Sequence, residues 1–384
     1  MPFEIATPGR VIFGRGTSSQ VPTIAAASGR HALIIGGRDP VRARKIADLL
    51  ARERMTTDVW SITHEPAVDD IERGVAFARS AGVDHVIGIG GGSVLDAAKA
   101  IAALAPNDGP ILDYLEVIGR AAPLTRPSLP CIALPTTAGT GAEVTRNAVL
   151  SAPAQRVKVS LRGPTLLPRV AIVDSELTHG LPPPLTASTG LDALTQLIEP
   201  YVCSRANPLS DGWCREGLRQ IATALPRAVE HGDDASAREA MALASLLGGL
   251  ALANAGLGAV HGFAGPLGGA FPIPHGVACA ALLPHVVAAN LHALSSRAPG
   301  HGARVRYDEI GRLVTGRPQA TADDLVAWLH ALVGALGAPR LSAYGMTAAA
   351  IPGIVAAAAR ASSMKANPVA LTPDECAAIL EAAL

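Results

Sequence analysis

The stretch "HVIGIGGGSVLDAAKAIA", residues His85–Ala102, decides the fold. An apolar, β-branched run ends in Gly90-Gly91-Gly92, and Ser93 opens a segment with helical spacing. A continuously apolar strand of this kind is buried on both faces, the situation of a parallel sheet covered by helices. Glycines at the turn let the backbone approach a diphosphate closely, and the free N–H groups at the helix start bind the anion. The spacing matches neither G-x-G-x-x-G nor the Walker pattern, so a plain tight turn between strand and helix stays open as an alternative. Asp96 and Lys99, on the following helix, either contact a cofactor or form surface pairs.

Moving outward, "HALIIG" (His31–Gly36) predicts a strand. "DPVRARKIADLLARER" predicts a helix with Asp39 as N-cap and Pro40 at its first position. "TDVWSI" predicts a strand, "DDIERGVAFARSAG" a helix and "PCIALPTT" a further strand, and "EVTRNAVLSAPAQRVKVSL" predicts a hairpin turning about Ala152–Gln155. The loop "LPTTAGTGAEVT" (Leu134–Thr145) offers two adjacent threonine hydroxyls and exposed glycine amides at a strand end, the edge where open α/β sheets place ligands. Lys158, inside the apolar "RVKVSL", is either a strand residue reaching for water or a cation aimed at a phosphate.

From about Leu181 the chain is rich in Ala and Leu at helical spacing. Asn207 can cap and Pro208 open one such helix, and "GLPPPLT" is a plausible boundary. The layout is an α/β domain with the candidate dinucleotide-binding loops over residues 1–180, followed by an all-helical domain over residues 181–384.

Composition excludes several classes. Hydrophobic residues make up 49% and charged residues 17% of 384 residues, ample for buried cores and contrary to disorder. The formal net charge of zero removes the electrostatic basis for a nucleic-acid or anionic-membrane partner. Cys131, Cys203, Cys214, Cys279 and Cys376 form an odd, scattered set without CxxC spacing, which suits reduced thiols in a cytoplasmic protein. No signal peptide is indicated at the N-terminus. "MALASLLGGLALANAGLGAV" (Met241–Val260) is long enough to span a bilayer, but its four glycines, Ser245 and Asn254 predict a buried core helix.

A second constellation lies in the helical half. In "TASTGLDALTQLIEPYV", Asp192 and Gln196 stand one helical turn apart on one face. A carboxylate in so apolar a helix is costly to bury without a partner. In "HGFAGPLGGAFPIPHG", His261 and His275 lie in comparably apolar surroundings. One carboxylate and two imidazoles make a donor set for a catalytic divalent cation such as Fe²⁺ or Zn²⁺, although buried histidines also serve as hydrogen-bonded core residues.

Taken in order, "GRVIFGRGT", "GIGGGSVLDAAKAIA", "PTTAGTGAEVT", "TGLDALTQLIEPYVCSRANPLSD" and "HGFAGPLGGAFPIPHGVACAALLP" resemble the motifs of the iron-containing (group III) alcohol dehydrogenases. Maleylacetate reductases, glycerol dehydrogenases and dehydroquinate synthases are related to that family, and the resemblance covers nearly the whole chain. It implies a dehydroquinate synthase-like fold, a homo-oligomer of two or more subunits, and a small-molecule aldehyde or primary alcohol as substrate. It implies cofactor contacts from Gly91, Gly92, Ser93, Thr136, Thr137, Asn147 and Lys158, and metal ligation by Asp192, His261 and His275. Where many members place a second-turn histidine ligand this chain has Gln196, whose carbonyl is a weaker donor for Fe²⁺ or Zn²⁺; glycerol dehydrogenase relatives manage with the Asp/His/His trio. Where relatives often carry a proton-passing histidine, this chain has Gly265. Where NAD-preferring relatives place an aspartate, this chain has Gly37 followed by Arg38, which favours NADP because a guanidinium can bind a 2′-phosphate bidentately.

The resemblance therefore implies a metal-dependent, NAD(P)-linked alcohol dehydrogenase acting on CH–OH groups. Two alternatives stay open. A maleylacetate reductase would need cationic residues for two carboxylates, of which only Arg205 is near the first metal-ligand helix. A metal-free, non-catalytic nucleotide-binding protein is suggested by Gln196 and Gly265.

Overall fold

The computed structural model describes residues 2–155 and 157–384. The chain forms two compact units. The first comprises Ile5–Thr137 and Gly141–His179; the second comprises residues 2–4, Ala138–Thr140 and Gly180–Leu384.

In the first unit the strands are β1 (Arg10–Phe13), β2 (His31–Gly36), β3 (Thr56–Ser61), β4 (His85–Gly90), β5 (Cys131–Pro135), β6 (Asn147–Ala152), β7 (Val157–Arg162) and β8 (Val170–Val173). Six of them pair in the order β1-β8-β5-β4-β2-β3, every pair parallel. The helices are α1 (Val21–Ala26), α2 (Val41–Arg52), α3 (Val68–Ala81) and α4 (Gly92–Leu104). The apolar strands divide their side chains between two cores by simple alternation. Leu33, Ile35 and Val86 join Ile71, Val75, Ala97 and Ile101 of α3 and α4 on one face. Ala32, Ile34, Ile87 and Ile89 join Val21, Ile24, Ile46 and Leu50 of α1 and α2 on the other.

β6 and β7 pair antiparallel, as the hairpin reading expects; its residue Arg156 lies outside the described residues. The hairpin adds Ala148, Leu150, Val159 and Leu161 to the α3/α4 side. Helix α2 begins one residue later than the sequence predicts. Pro40 takes the capping position, and Asp39 instead accepts from the Val41 N–H at 3.0 Å.

From β2 the chain crosses to β3 on one side and then to β4 on the other. The carboxyl ends of β2 and β4 therefore flank a point of reversal, the place where open α/β sheets form a ligand crevice. Close packing of α4 on the sheet demands glycine at Gly90, where a Cβ would stand 2.5 Å from the Val94 Cβ.

The second unit contains α5 (Pro183–Val202), α6 (Pro208–Glu230), α7 (Ala235–Asn254), α8 (Ala259–Ala270), α9 (His275–Arg297), α10 (Ala303–Thr315), α11 (Ala322–Ala335), α12 (Ile351–Ala358) and α13 (Pro373–Ala383). Residues from nearly every one of these helices share a single apolar core. α5 is buried on all sides from Gly190 to Val202, the state of a central helix rather than an amphipathic one. Asn207 caps α6 through Leu209 and Ser210, with Pro208 at the first helical position, as predicted. The apolar stretch Met241–Val260 is not one helix. It spans the end of α7 and the start of α8, bent by 96° at the break between them. α9 is long and apolar enough to cross a bilayer, yet 78% of its apolar window is buried inside the protein.

His85 sits fully buried at the start of β4, and neither ring nitrogen finds a partner among the described residues. Burial pushes its imidazole down to about 4, against the pull of neighbouring Asp84. An unfolded chain holds that proton below about 6.5, so the stability contributed by neutral His85 is full above that pH and lost as pH falls through about 4. His85→Leu should flatten this loss. Urea midpoints compared at pH 7 and pH 4.5 should show the variant losing about 2 kcal/mol less than the parent, whereas equal losses would contradict the assignment.

Candidate metal centre and cofactor loops

The helical unit assembles a cluster of ligating atoms. α5 carries Asp192, α8 carries His261 within its first turn, and α9 begins at His275. Asp192 Oδ1 lies 3.4 Å from His261 Nε2 and 3.6 Å from His275 Nε2. Those separations exceed an ordinary hydrogen bond, and among the described residues Asp192 Oδ1 has no hydrogen-bond partner. The carboxylate is 1% exposed, so water does not solvate it. Gln196, one turn further along α5, is also buried with Oε1 unpartnered among the described residues. Two orphaned oxygens beside two converging imidazoles fit a divalent cation, because each would otherwise carry an uncompensated desolvation cost.

Three residues that sequence reasoning did not assign to the site complete the centre. Glu199 stands two turns after Asp192 on α5. Its Oε2 meets His261 Nδ1 at 2.6 Å and its Oε1 accepts from the Val260 N–H at 2.7 Å. One carboxylate thus fixes both the imidazole and the start of α8, leaving Nε2 directed toward Asp192. Asn367 supports the same terminus by accepting from the Ala259 N–H at 3.1 Å. Cys279, one turn after His275 on α9, places Sγ 3.8 Å from His275 Nε2 and 3.9 Å from His261 Nε2. The signal for Glu199 was present in the sequence as a second carboxylate on the same apolar helix face.

α9 approaches α5 closely, and a Cβ at Gly276 would stand 2.3 Å from the Ser188 carbonyl oxygen. Any larger residue there would push His275 away from Asp192. Electrostatics are strongly coupled. Burial alone would raise the Asp192 pKa, but the His275 and His261 imidazoles reverse it and hold the carboxyl below its usual range. Burial alone would lower both imidazoles; Cys279, Glu199 and Asp192 overturn this for His261, and Cys279 and Asp192 for His275, so both are raised. The centre is a strong trap for positive charge.

In the α/β unit the sequence-selected cofactor residues gather at the carboxyl ends of three neighbouring strands. Gly37 and Arg38 follow β2; Gly91, Gly92 and Ser93 follow β4; Thr136 and Thr137 follow β5. Thr136 donates its N–H to the Gly90 carbonyl at 2.9 Å, tying two of these loops together. Gly91 caps α4 without any side-chain bond, leaving the helix start open to an anion. Arg38 is exposed, and Nη2 donates to the Thr63 carbonyl at 3.2 Å.

The remaining candidates are engaged elsewhere. Asp96 pairs with buried Lys99 at 2.9 Å and accepts from the Val149 N–H at 3.0 Å, so it ties α4 to the hairpin. Asn147 presents its backbone carbonyl oxygen to Lys99 Nζ at 2.5 Å, which anchors the start of β6 and leaves its side-chain amide uncommitted by this contact. Lys158 is paired with Glu65 at 2.6 Å. Glu143, buried in the loop after β5, is raised to about 7 by burial, with a backbone hydrogen bond and Lys99 pulling the other way.

Residues 8–175 match the family described as iron-containing alcohol dehydrogenase, and residues 186–384 match its C-terminal family. The chain belongs to the iron-containing alcohol dehydrogenase family. It is 43% identical to long-chain-alcohol dehydrogenase 1 of Geobacillus thermodenitrificans over 273 residues, covering 70% of this chain and 68% of the relative. The crystal structure of a 1,3-propanediol oxidoreductase superposes with a TM-score of 0.92 at 32% identity, covering 100% of both chains. A sulfoacetaldehyde reductase from Bifidobacterium kashiwanohense, solved in complex with NAD+, superposes with a TM-score of 0.86 at 29% identity, covering 100% of this chain and 99% of that one. As a member of this family the chain is an oxidoreductase of the alcohol dehydrogenase type.

The Glu199 contact carries a direct test. Glu199→Ala frees the imidazole of His261 and should weaken divalent-metal binding by about 10–100-fold, the usual cost of losing an outer partner of a histidine ligand. Competition against a chelating dye measures it, with circular dichroism as the fold control; unaltered affinity would remove Glu199 from the centre.

Proposed function

We propose that this alcohol dehydrogenase is metal-dependent, prefers NADP(H), and interconverts small aldehydes and primary alcohols. The observation that carries the reading is the buried Asp192 oxygen, 3.4 and 3.6 Å from two imidazole nitrogens and without a hydrogen-bond partner among the described residues. Asp192, His261 and His275 would hold the cation, and the Gln196 carbonyl stands as a candidate donor on the same helix face as Asp192. When bound, a divalent cation such as Fe²⁺ or Zn²⁺ polarises a substrate carbonyl, and the nicotinamide gives or takes the hydride.

The chain's own residues do the rest. Glu199 holds the His261 ring in one tautomer and orientation. The core around α5 excludes water from Asp192, so that its full charge acts at short range. His275, whose side chain is 36% exposed, marks the side of the centre open to a small molecule. The glycine turn before α4 supplies free amides for a cofactor diphosphate. Arg38 supports the phosphorylated cofactor, because Gly37 brings no negative charge and the adjacent Asp39 is engaged at the start of α2. The NAD+-bound reductase supports a nicotinamide cofactor in general. The five buried free thiols support a reducing, cytoplasmic setting.

Metal quantification combined with an aldehyde panel under NADH and NADPH tests the reading. Stoichiometric divalent metal, loss of turnover on chelation and recovery on Zn²⁺ or Fe²⁺ addition are expected; full turnover in metal-free protein would contradict it. Arg38→Ala should raise the NADPH KM by about tenfold, the value of one charge-assisted hydrogen bond, and leave the NADH KM unchanged. An equal effect on both cofactors would refute phosphate recognition by Arg38.

At Gly265 a Cβ meets nothing within 4 Å. Gly265→His should therefore be accommodated and should narrow the substrate range, seen as a steeper fall of kcat/KM with aldehyde size. An unchanged profile would show that Gly265 does not set the pocket.

A further inference from the structure

We propose that the Cys279 sulfur is a fourth protein ligand of the cation, so that the centre is Asp192–His261–His275–Cys279. This rests on the metal-dependent reading above. The four ligating atoms lie within 4.8 Å of one another. A tetrahedral cation with ordinary Zn–N, Zn–O and Zn–S bonds sets its N and O donors about 3.4 Å apart and its N and S donors about 3.6 Å apart. The observed separations are 3.4 and 3.6 Å for Asp192 to the imidazoles and 3.8 and 3.9 Å for the sulfur to the same nitrogens. Each is within a few tenths of an ångström of a coordination edge.

Local structure explains the placement. His275 and Cys279 stand one turn apart on α9, so both side chains leave the same face. Cys279 is fully buried, and among the described residues its sulfur's hydrogen-bonding contacts are the two imidazole nitrogens. The unpartnered Asp192 oxygen, nine-tenths buried and more, independently marks the same point as a cation position. Gln196 is the competing donor. Its neutral carbonyl is hard, whereas a thiolate is soft and strengthens a site for Zn²⁺. Coordination exchanges the S–H proton for the metal, and the proton leaves to solvent. Catalytic zinc sites sometimes take a fifth ligand, so a fourth protein donor would be compatible with turnover.

Cobalt(II) reports the coordination without reference to activity. Protein stripped by chelation and titrated with Co²⁺ should take up stoichiometric metal and show visible d–d bands together with a near-ultraviolet thiolate-to-cobalt charge-transfer band. Cys279→Ser should keep the visible bands, lose the charge-transfer band and bind Zn²⁺ at least about tenfold more weakly, whereas Gln196→Ala should keep the charge-transfer band. Visible bands without charge transfer in the parent protein, or charge transfer that survives Cys279→Ser, would overturn the thiolate ligand while leaving the metal site intact. Failure to bind Co²⁺ at all would overturn both the ligand and the metal-dependent reading. Should Cys279→Ser fold poorly, zinc-edge X-ray absorption on the zinc-loaded parent reads the same point. A sulfur neighbour at about 2.3 Å is expected, and a shell of nitrogen and oxygen alone would overturn the proposal.

Discussion

A carboxylate sealed inside a helical core has to be neutralised, and among the described residues Asp192 has no lysine or arginine partner; two imidazoles approach it. The rest of the helical unit follows from that constraint. Asp192 sits in a stretch of α5 buried on all sides, so its partners must come from neighbouring helices. α8 delivers His261 with its start pinned by Glu199 and Asn367. α9 delivers His275 because Gly276 allows the two backbones to meet. The sharp bend between α7 and α8 is what lets one apolar stretch serve both as core and as the start of the helix that carries His261. Each of these features is costly or strange in isolation and reasonable once a cation is to be held.

The α/β unit obeys a different rule, parallel pairing. Its strands are apolar on both faces because helices cover both faces, and its loops converge where the strand order reverses. The glycine turn after β4 does two things at once: α4 packs close to the sheet, and its start carries no side-chain cap. The first depends on the missing Cβ at Gly90, and the second holds at Gly91.

Much of this was legible in the sequence because it depends on local pattern. "HALIIG" is a strand with the predicted bounds, "DHVIGIG" is one that starts a residue later than predicted, at His85, and Asn207-Pro208 opens a helix as capping chemistry requires. The convergence of Asp192, His261 and His275 was suggested by residue type and by family likeness, since nothing local links positions so far apart. What stayed hidden was long-range or competitive. Asp39 and Pro40 both suit a helix start, and only the folded backbone decides which one holds the capping position. Lys158 in an apolar strand reads as a free cation until Glu65, remote in sequence, appears beside it. Asp96 was ambiguous for the same reason, its partners being Lys99 and a hairpin backbone. Cys279 read as one of five scattered thiols, since its meaning depends on α8 bringing a second imidazole to it.

The central claim is that three side chains on three helices share one cation. Anomalous scattering from crystals of the purified protein, recorded on either side of the absorption edge of the metal it carries, tests this most directly. The account predicts a single strong peak at bonding distance, about 2.0–2.3 Å, from an oxygen of Asp192 and from Nε2 of both His261 and His275. A metal located elsewhere, or imidazoles turned away from Asp192 with that carboxylate paired to something else, would contradict it.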